Sequence, residues 1–260
     1  MAATMQKKLE DNIRMENIKI SAISYLNTAP FIYGLRQSGF LSNCELTIDY
    51  PSACAEKLIH NKVDIGIVPV AIIPLLKNYN ILTNYCIGAI NKTNSVMLYS
   101  EVPLNAIKNI YLDYQSRSSV ALLKIITAHY WHINPNWIPA NTGYEQAIKG
   151  NTAGLIIGDR TFNLNKKYPY AYDLAAEWYN FTKLPFVFAC WVANKELPKE
   201  FITAFSKAIK FGIDNKTTVI NDLIKNKTYP CDVSYYLNEC ISYEFDEAKK
   251  TGMNLFLNYL

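Results

Sequence analysis

Three short stretches put polar side chains where an apolar run gives way to a helical pattern, and these are the places where the chain could do chemistry. In Ser24-Tyr25-Leu26-Asn27-Thr28-Ala29-Pro30, Asn27 and Thr28 can donate to a bound carboxylate or hydroxyl. They can equally serve as cap and turn before a helix that starts at Pro30. In Gln115-Ser116-Arg117-Ser118-Ser119, free backbone N–H groups at a helix start, with serine hydroxyls and Arg117, would make an anion site, or else a plain cap with Arg117 in solvent. Gly158-Asp159-Arg160 ends the apolar run AGLII. There Asp159 could be a general base, a hydroxyl acceptor, a partner for Arg160 or part of a surface turn.

Other chemistries lack their residues. No G-x-G-x-x-G or P-loop follows a strand pattern, and no G-x-S-x-G elbow occurs. His60, His129 and His132 are the only histidines. His129 and His132 lie three apart on a predicted helix, but no Cys, Asp or Glu in that stretch completes a metal shell, so no metal is expected.

The elements that must position these stretches alternate. IKISAIS, ELTIDYP, VDIGIVPV, NYCIGAI and NSVMLYS read as strands, with helices from Pro30 to Gln37 and at SACAEKLIHNK between them. IKNIYLDY, NWIPA and AGLIIGD continue the strands, with helices at SRSSVALLKIITAHYW and YEQAIKG. LPFVFACWVAN then returns as a long apolar strand, and the chain from Pro198 onward reads as helical. This order is that of an α/β fold. It predicts a solvated extension at 1–17, one lobe from 18–96 and 185–260, and a second lobe from 97–184. Apolar strands near Ser95–Tyr99 and Phe186–Val192 would cross between them. Such a clamshell binds its ligand in the cleft, where strand ends meet helix starts.

Composition sets outer limits. The 260 residues are 50% hydrophobic and 18% charged, with a net charge of +4. That is a globular composition, and a charge so mild and scattered fits a small anionic ligand better than nucleic acid. The longest apolar stretch, Val63 to Leu76, contains Asp64, Pro69 and Pro74 and is short of the roughly 20 residues a membrane helix needs. The charged N-terminus is unlike a secretory signal, so a cytoplasmic chain off the membrane is expected, as monomer or homodimer. The six scattered cysteines read as buried free thiols.

SYLNTAPFIYGL, VDIGIVPVAIIPLL, NSVMLYS, LDYQSRSSVALLK, GLIIGDRTF and LPFVFACWVAN, in this order, together resemble the chorismate dehydratase family of the futalosine route to menaquinone. The strand followed by SYLNT is the most specific element. The Ser-Pro-Cys-Pro-Asn opening typical of the sister enzyme of that route is absent. The resemblance implies a type II periplasmic-binding-protein-like fold and a cofactor-independent elimination of water from chorismate, giving 3-[(1-carboxyvinyl)oxy]benzoate. It further implies that Asn27 bonds the substrate near the reacting carbons or the leaving hydroxyl, and that Ser95 binds a carboxylate or the hydroxyl. Ser118 and Ser119, with Arg117, would hold a carboxylate at the helix start, while Tyr25 and Thr28 line the cleft. For the proton acceptor, Asp159 and the substrate's own enolpyruvyl carboxylate both stand. Two other readings use the same cleft: a solute-binding protein that closes on a small carboxylate, and an effector-sensing domain, against which the lack of a helix-turn-helix counts.

Overall fold

The computed structural model describes residues 18–164 and 167–260, so the extension expected at 1–17 lies outside the described residues. The strands form two sheets. The first takes β1 (Ile18–Ile23), β2 (Cys44–Asp49), β3 (Ile65–Pro69), β4 (Asn80–Ala89), β10 (Phe186–Ala193) and β11 (Ser242–Glu244), in the order β11-β4-β10-β3-β1-β2. The second takes β5 (Val96–Ser100), β6 (Asn109–Leu112), β7 (Asn136–Pro139), β8 (Thr152–Ile157) and β9 (Tyr170–Asp173), in the order β7-β6-β8-β5-β9.

Burial explains the strand sequences. β1 runs parallel to both β2 and β3, and along it only Lys19 is exposed. β10 lies antiparallel between β3 and β4 and is buried at every residue, as expected of a strand covered on both faces. Neither β5 nor β10 spans both sheets, which corrects the expected crossing strands. β5 belongs to the second sheet and β10 to the first, so the chain crosses in the short segments 90–95 and 183–185 that precede them.

Helix α1 (Ala29–Gln37) follows β1 with Pro30 in its first turn, and α2 (Pro51–Ile59) follows β2. In the second unit, α3 (Arg117–His129) follows β6 and α4 (Leu174–Thr182) follows β9. The C-terminal part carries α5 (Lys199–Asp214), α6 (Lys216–Asn226) and α7 (Glu247–Asn258).

Several expectations change. YEQAIKG makes only a 3₁₀ turn at Tyr144–Ala147, entered through Gly143 at φ 88°. The region after Pro198 is not wholly helical, because β11 pairs with β4 there. His132 lies beyond the end of α3 at φ 53°, so the two histidines do not share a helix face; His129 packs against the Tyr259 ring.

Helices α1 and α5 approach through glycine. A Cβ on Gly212 would fall on the Pro30 carbonyl, and one on Gly34 on the Ala208 carbonyl. Backbone cannot yield as a flexible side chain can. Gly212→Ala is therefore expected to cost about 1–3 kcal/mol, read as a lowered midpoint in thermal unfolding.

Candidate active site

A small cavity lies between the two sheets. Asn27 and Tyr25 come from the turn after β1, Thr93 and Ser95 from the crossing segment, and Ser116 and Ser119 from the start of α3. Ile157, Phe188 and Pro69 contribute apolar wall, and no charged side chain lines it among the described residues. About 40 Å³ is open to the centres of water molecules, room for about three of them. In this arrangement that space is too small for a ring-sized ligand.

Asn27 is held by its backbone and not by its side chain. It is the middle residue of a 3₁₀ turn, Leu26–Thr28. The Tyr243 hydroxyl donates to the Asn27 carbonyl at 2.9 Å. The Asn27 Oδ1 atom is buried and has no partner among the described residues. A buried amide oxygen without a partner is costly, and a ligand hydroxyl or a protonated carboxyl could satisfy it.

The Ser95 hydroxyl is oriented by its neighbours. Tyr236 donates to its Oγ at 2.8 Å, and Thr93 Oγ1 lies 3.0 Å away. Burial pushes the Tyr236 phenol well above its ordinary value, so it stays a donor at neutral pH. The backbone carrying Thr93 is pinned in turn, since the Asp173 carboxylate accepts the N–H groups of Thr93 at 2.9 Å and Asn94 at 2.7 Å. With Tyr236→Phe the Ser95 hydroxyl loses its orienting donor. Because one such bond is worth about 1 kcal/mol, turnover is expected to fall roughly fivefold in steady-state assays, without a change in fold.

The start of α3 supplies the anion-favouring end. Ser116 caps the helix, accepting the Ser119 N–H at 3.1 Å, and donates to Ser119 Oγ at 2.9 Å. Positions three apart share a helix face, so both serines meet the cavity at the positive end of the helix dipole.

Other expected site residues lie elsewhere. Arg117 points from its helix toward α2 and pairs with Glu56, because the residue after the cap projects from a different face. Ser118 Oγ accepts the Ala71 N–H at 3.1 Å, tying α3 to the turn after β3. Thr28 is fully buried and spends its hydroxyl inside its own turn, donating to the carbonyls of Ile23 at 2.5 Å and Tyr25 at 2.7 Å. Tyr25 does line the cavity, and its hydroxyl donates to Gln115 Oε1. Burial raises the Tyr25 phenol, and the nearby Asp113 carboxylate adds to the rise.

Asp159 does not line the cavity. It borders an open groove on the other side of Tyr25, among Arg36, Asp222, Lys227 and Tyr229. Both its oxygens accept the Leu26 N–H, at 3.1 and 3.2 Å. Burial raises its pKa, while the Leu26 bond and the charge of Lys227 pull the other way. The sequence marks Asp159 as a strand-end carboxylate but not the side of the turn it takes. Thr93 lies outside the expected stretches, and Ser116 lies in the expected serine run without a role of its own there; small hydroxyl residues at a crossing or a cap are too common to stand out.

Residues 18–260 match the family model described as menaquinone biosynthesis. A chorismate dehydratase of Campylobacter jejuni is 28% identical, with 90% of this chain and 94% of that protein covered. One from Thermus thermophilus is 24% identical, covering 91% and 92%. Among solved structures, a protein from Archaeoglobus fulgidus superposes with a TM-score of 0.68 at 15% identity, covering 94% of this chain and 96% of that one. The periplasmic aliphatic sulphonate-binding protein SsuA of Escherichia coli does so with a TM-score of 0.59 at 15% identity, covering 94% and 87%. These likenesses show the fold, which is periplasmic-binding-protein-like and two-sheeted. No helix among the described residues is long and apolar enough to cross a membrane.

Proposed function

The chain belongs to the menaquinone biosynthesis family, and we propose that its reaction is the dehydration of chorismate to 3-[(1-carboxyvinyl)oxy]benzoate. The observation that carries this reading is the Asn27 carboxamide, whose buried oxygen has no partner among the described residues, in a cavity walled by both sheets. A receptor that only holds a carboxylate has no need of an unsatisfied acceptor among donors.

The chemistry accounts for the residue types. The C3–H bond of chorismate is vinylogous to the ring carboxylate, so its electron pair passes toward that carboxylate as the proton leaves. Charge then returns as the C4–O bond breaks, the hydroxide takes back the proton removed from C3 and leaves as water, and the ring becomes aromatic. The protein must orient a dianion and stabilise charge that builds on the ring carboxylate. Ser116 and Ser119, at the positive end of α3, suit one carboxylate. Asn27 and Ser95 suit the region of the leaving hydroxyl, where an amide and a hydroxyl can bond it without competing for its proton. Aromatisation supplies the driving force, so the proposed reaction needs neither metal nor nucleotide.

The proton acceptor in this reading is the substrate's own enolpyruvyl carboxylate, tethered next to C3. The cavity lining holds no carboxylate among the described residues, and an amide is too weakly basic for the task. The proposal divides the chain into lobes at 18–96 with 185–260 and at 97–184, with chorismate between them. On this reading the protein works in the cytoplasm, in keeping with a biosynthetic family.

The test is to incubate the purified protein with chorismate and a chelator and to follow products by chromatography and ultraviolet absorbance. A substituted benzoate formed with no added cofactor is expected. Chorismate left unchanged by the folded protein would overturn the reading in favour of a binding protein.

A further inference from the structure

The turn that presents Asn27 has no cap of its own. Tyr25 stands at its N-cap position and offers no side-chain hydrogen bond, although the first N–H groups of any such turn need outside partners. The partner comes from the other sheet. Asp159, in the 3₁₀ turn Gly158–Asn163 that follows β8, takes the Leu26 N–H with both oxygens.

Two neighbouring contacts act on the same segment. Gly158, at φ 66°, lies so close to the Tyr25 ring that a Cβ there would collide with it. The Tyr25 hydroxyl reaches Gln115 at the start of the second unit's helix, with the Arg160 guanidinium beside it. The tripeptide 158–160, aided by Gln115, thus holds successive points of the stretch that ends at Asn27: a ring, a hydroxyl and an amide. From the other side, Tyr243 holds the Asn27 carbonyl.

We infer that Asp159 is a positioning residue, a helix cap supplied across the cleft, which fixes the Leu26 amide and so sets the Asn27 carboxamide toward the cavity. The inference rests on the dehydratase reading for the role of Asn27, but not for the contact itself. Because the clasp joins the two sheets, parting them to admit a ligand breaks it. Asn27 is therefore in register only when the sheets are together over the substrate. Asp159 stands outside the lining of the cavity, in the neighbouring groove, and its carboxylate serves as an acceptor and not as a base.

The experiment compares the wild type, Asp159→Asn and Asp159→Ala in chorismate turnover and in hydrogen–deuterium exchange at the Leu26 amide. Asparagine keeps an oxygen for the Leu26 N–H, so turnover within about threefold of wild type is expected. Alanine keeps none, and a kcat loss of about 10²-fold is expected, the scale for a misplaced reacting group, with KM changed far less. The Leu26 amide should exchange much faster in Asp159→Ala than in the other two.

Asp159→Asn as inactive as Asp159→Ala would make the carboxylate an acid–base group and overturn the inference. So would full activity or an unaltered Leu26 exchange rate in Asp159→Ala. If the alanine variant does not fold, the isosteric asparagine variant still decides: near-normal turnover supports positioning, and a loss beyond about 10³-fold refutes it. A wild type that leaves chorismate untouched would instead refute the dehydratase reading, while the exchange measurement would still decide whether Asp159 caps the turn.

Discussion

Asn27→Ala is expected to lower kcat for chorismate by about 10²–10³-fold, with KM moving by less than about fivefold. The magnitude is that for removing one preorganised polar group from a site where charge develops in the transition state. The asymmetry follows from where the amide sits. Its backbone is fixed by Tyr243 and by the Leu26–Asp159 bond when the sheets are together, so its orientation is set by the protein and not by the substrate. Its Oδ1 atom has no partner among the described residues to give up, and its bonds to the reacting region are worth most when the C4–O bond is breaking. In the proposed arrangement the carboxylate held at the α3 start contributes ground-state affinity that does not depend on Asn27. Parallel losses in kcat and kcat/KM in steady-state kinetics would bear this out. A rise in KM alone would mean that Asn27 only binds.

Much of this site was legible because strand and helix patterns meet there. A buried strand followed by Asn-Thr-Ala-Pro, and a serine run opening an amphipathic helix, mark the two places where polar groups face a cleft. Asn27, Ser95, Ser119 and Tyr25 all line the cavity. What the pattern lacks is direction around a turn. Ser118 and Ser119 are adjacent and chemically alike, yet one bonds the Ala71 amide and the other faces the cavity. Arg117 looks like an anion ligand until α2 brings Glu56 beside it, a contact between residues far apart in the chain.

The missed elements have similar causes. β11 has three residues, too few for a period, and exists because β4 offers it an edge. β9 is only four residues long, and no glycine closes α4. The helix is capped by Asp173 and stopped by Lys183 at φ 61°, where glycine is the common choice. Its aromatic residues then read as a continuation of the tyrosines before it.

The buried acid of the second unit should show the largest stability effect. Asp113 has a fully buried side chain. Its Oδ1 accepts the Gln115 N–H at 2.8 Å, and its Oδ2 accepts from the Tyr144 hydroxyl at 2.9 Å, the Ile157 N–H at 3.1 Å and the Arg160 guanidinium. Asp113→Ala strips all four donors of a shared acceptor and leaves Arg160 with Glu145 as its remaining carboxylate. Breaking a buried pair by removing one partner costs about 3–5 kcal/mol, which for a chain of this size lowers Tm by roughly 10 °C. Asp113→Asn, which keeps two polar atoms in place, should cost less than half as much. Thermal unfolding of both variants checks the order, and equal losses would show that charge, not the donor count, is what matters there. The same acid fixes the backbone of Gln115, which receives the Tyr25 hydroxyl. Asp113→Ala, where it folds, should therefore also slow chorismate turnover, by loosening the far end of the clasp that aligns Asn27.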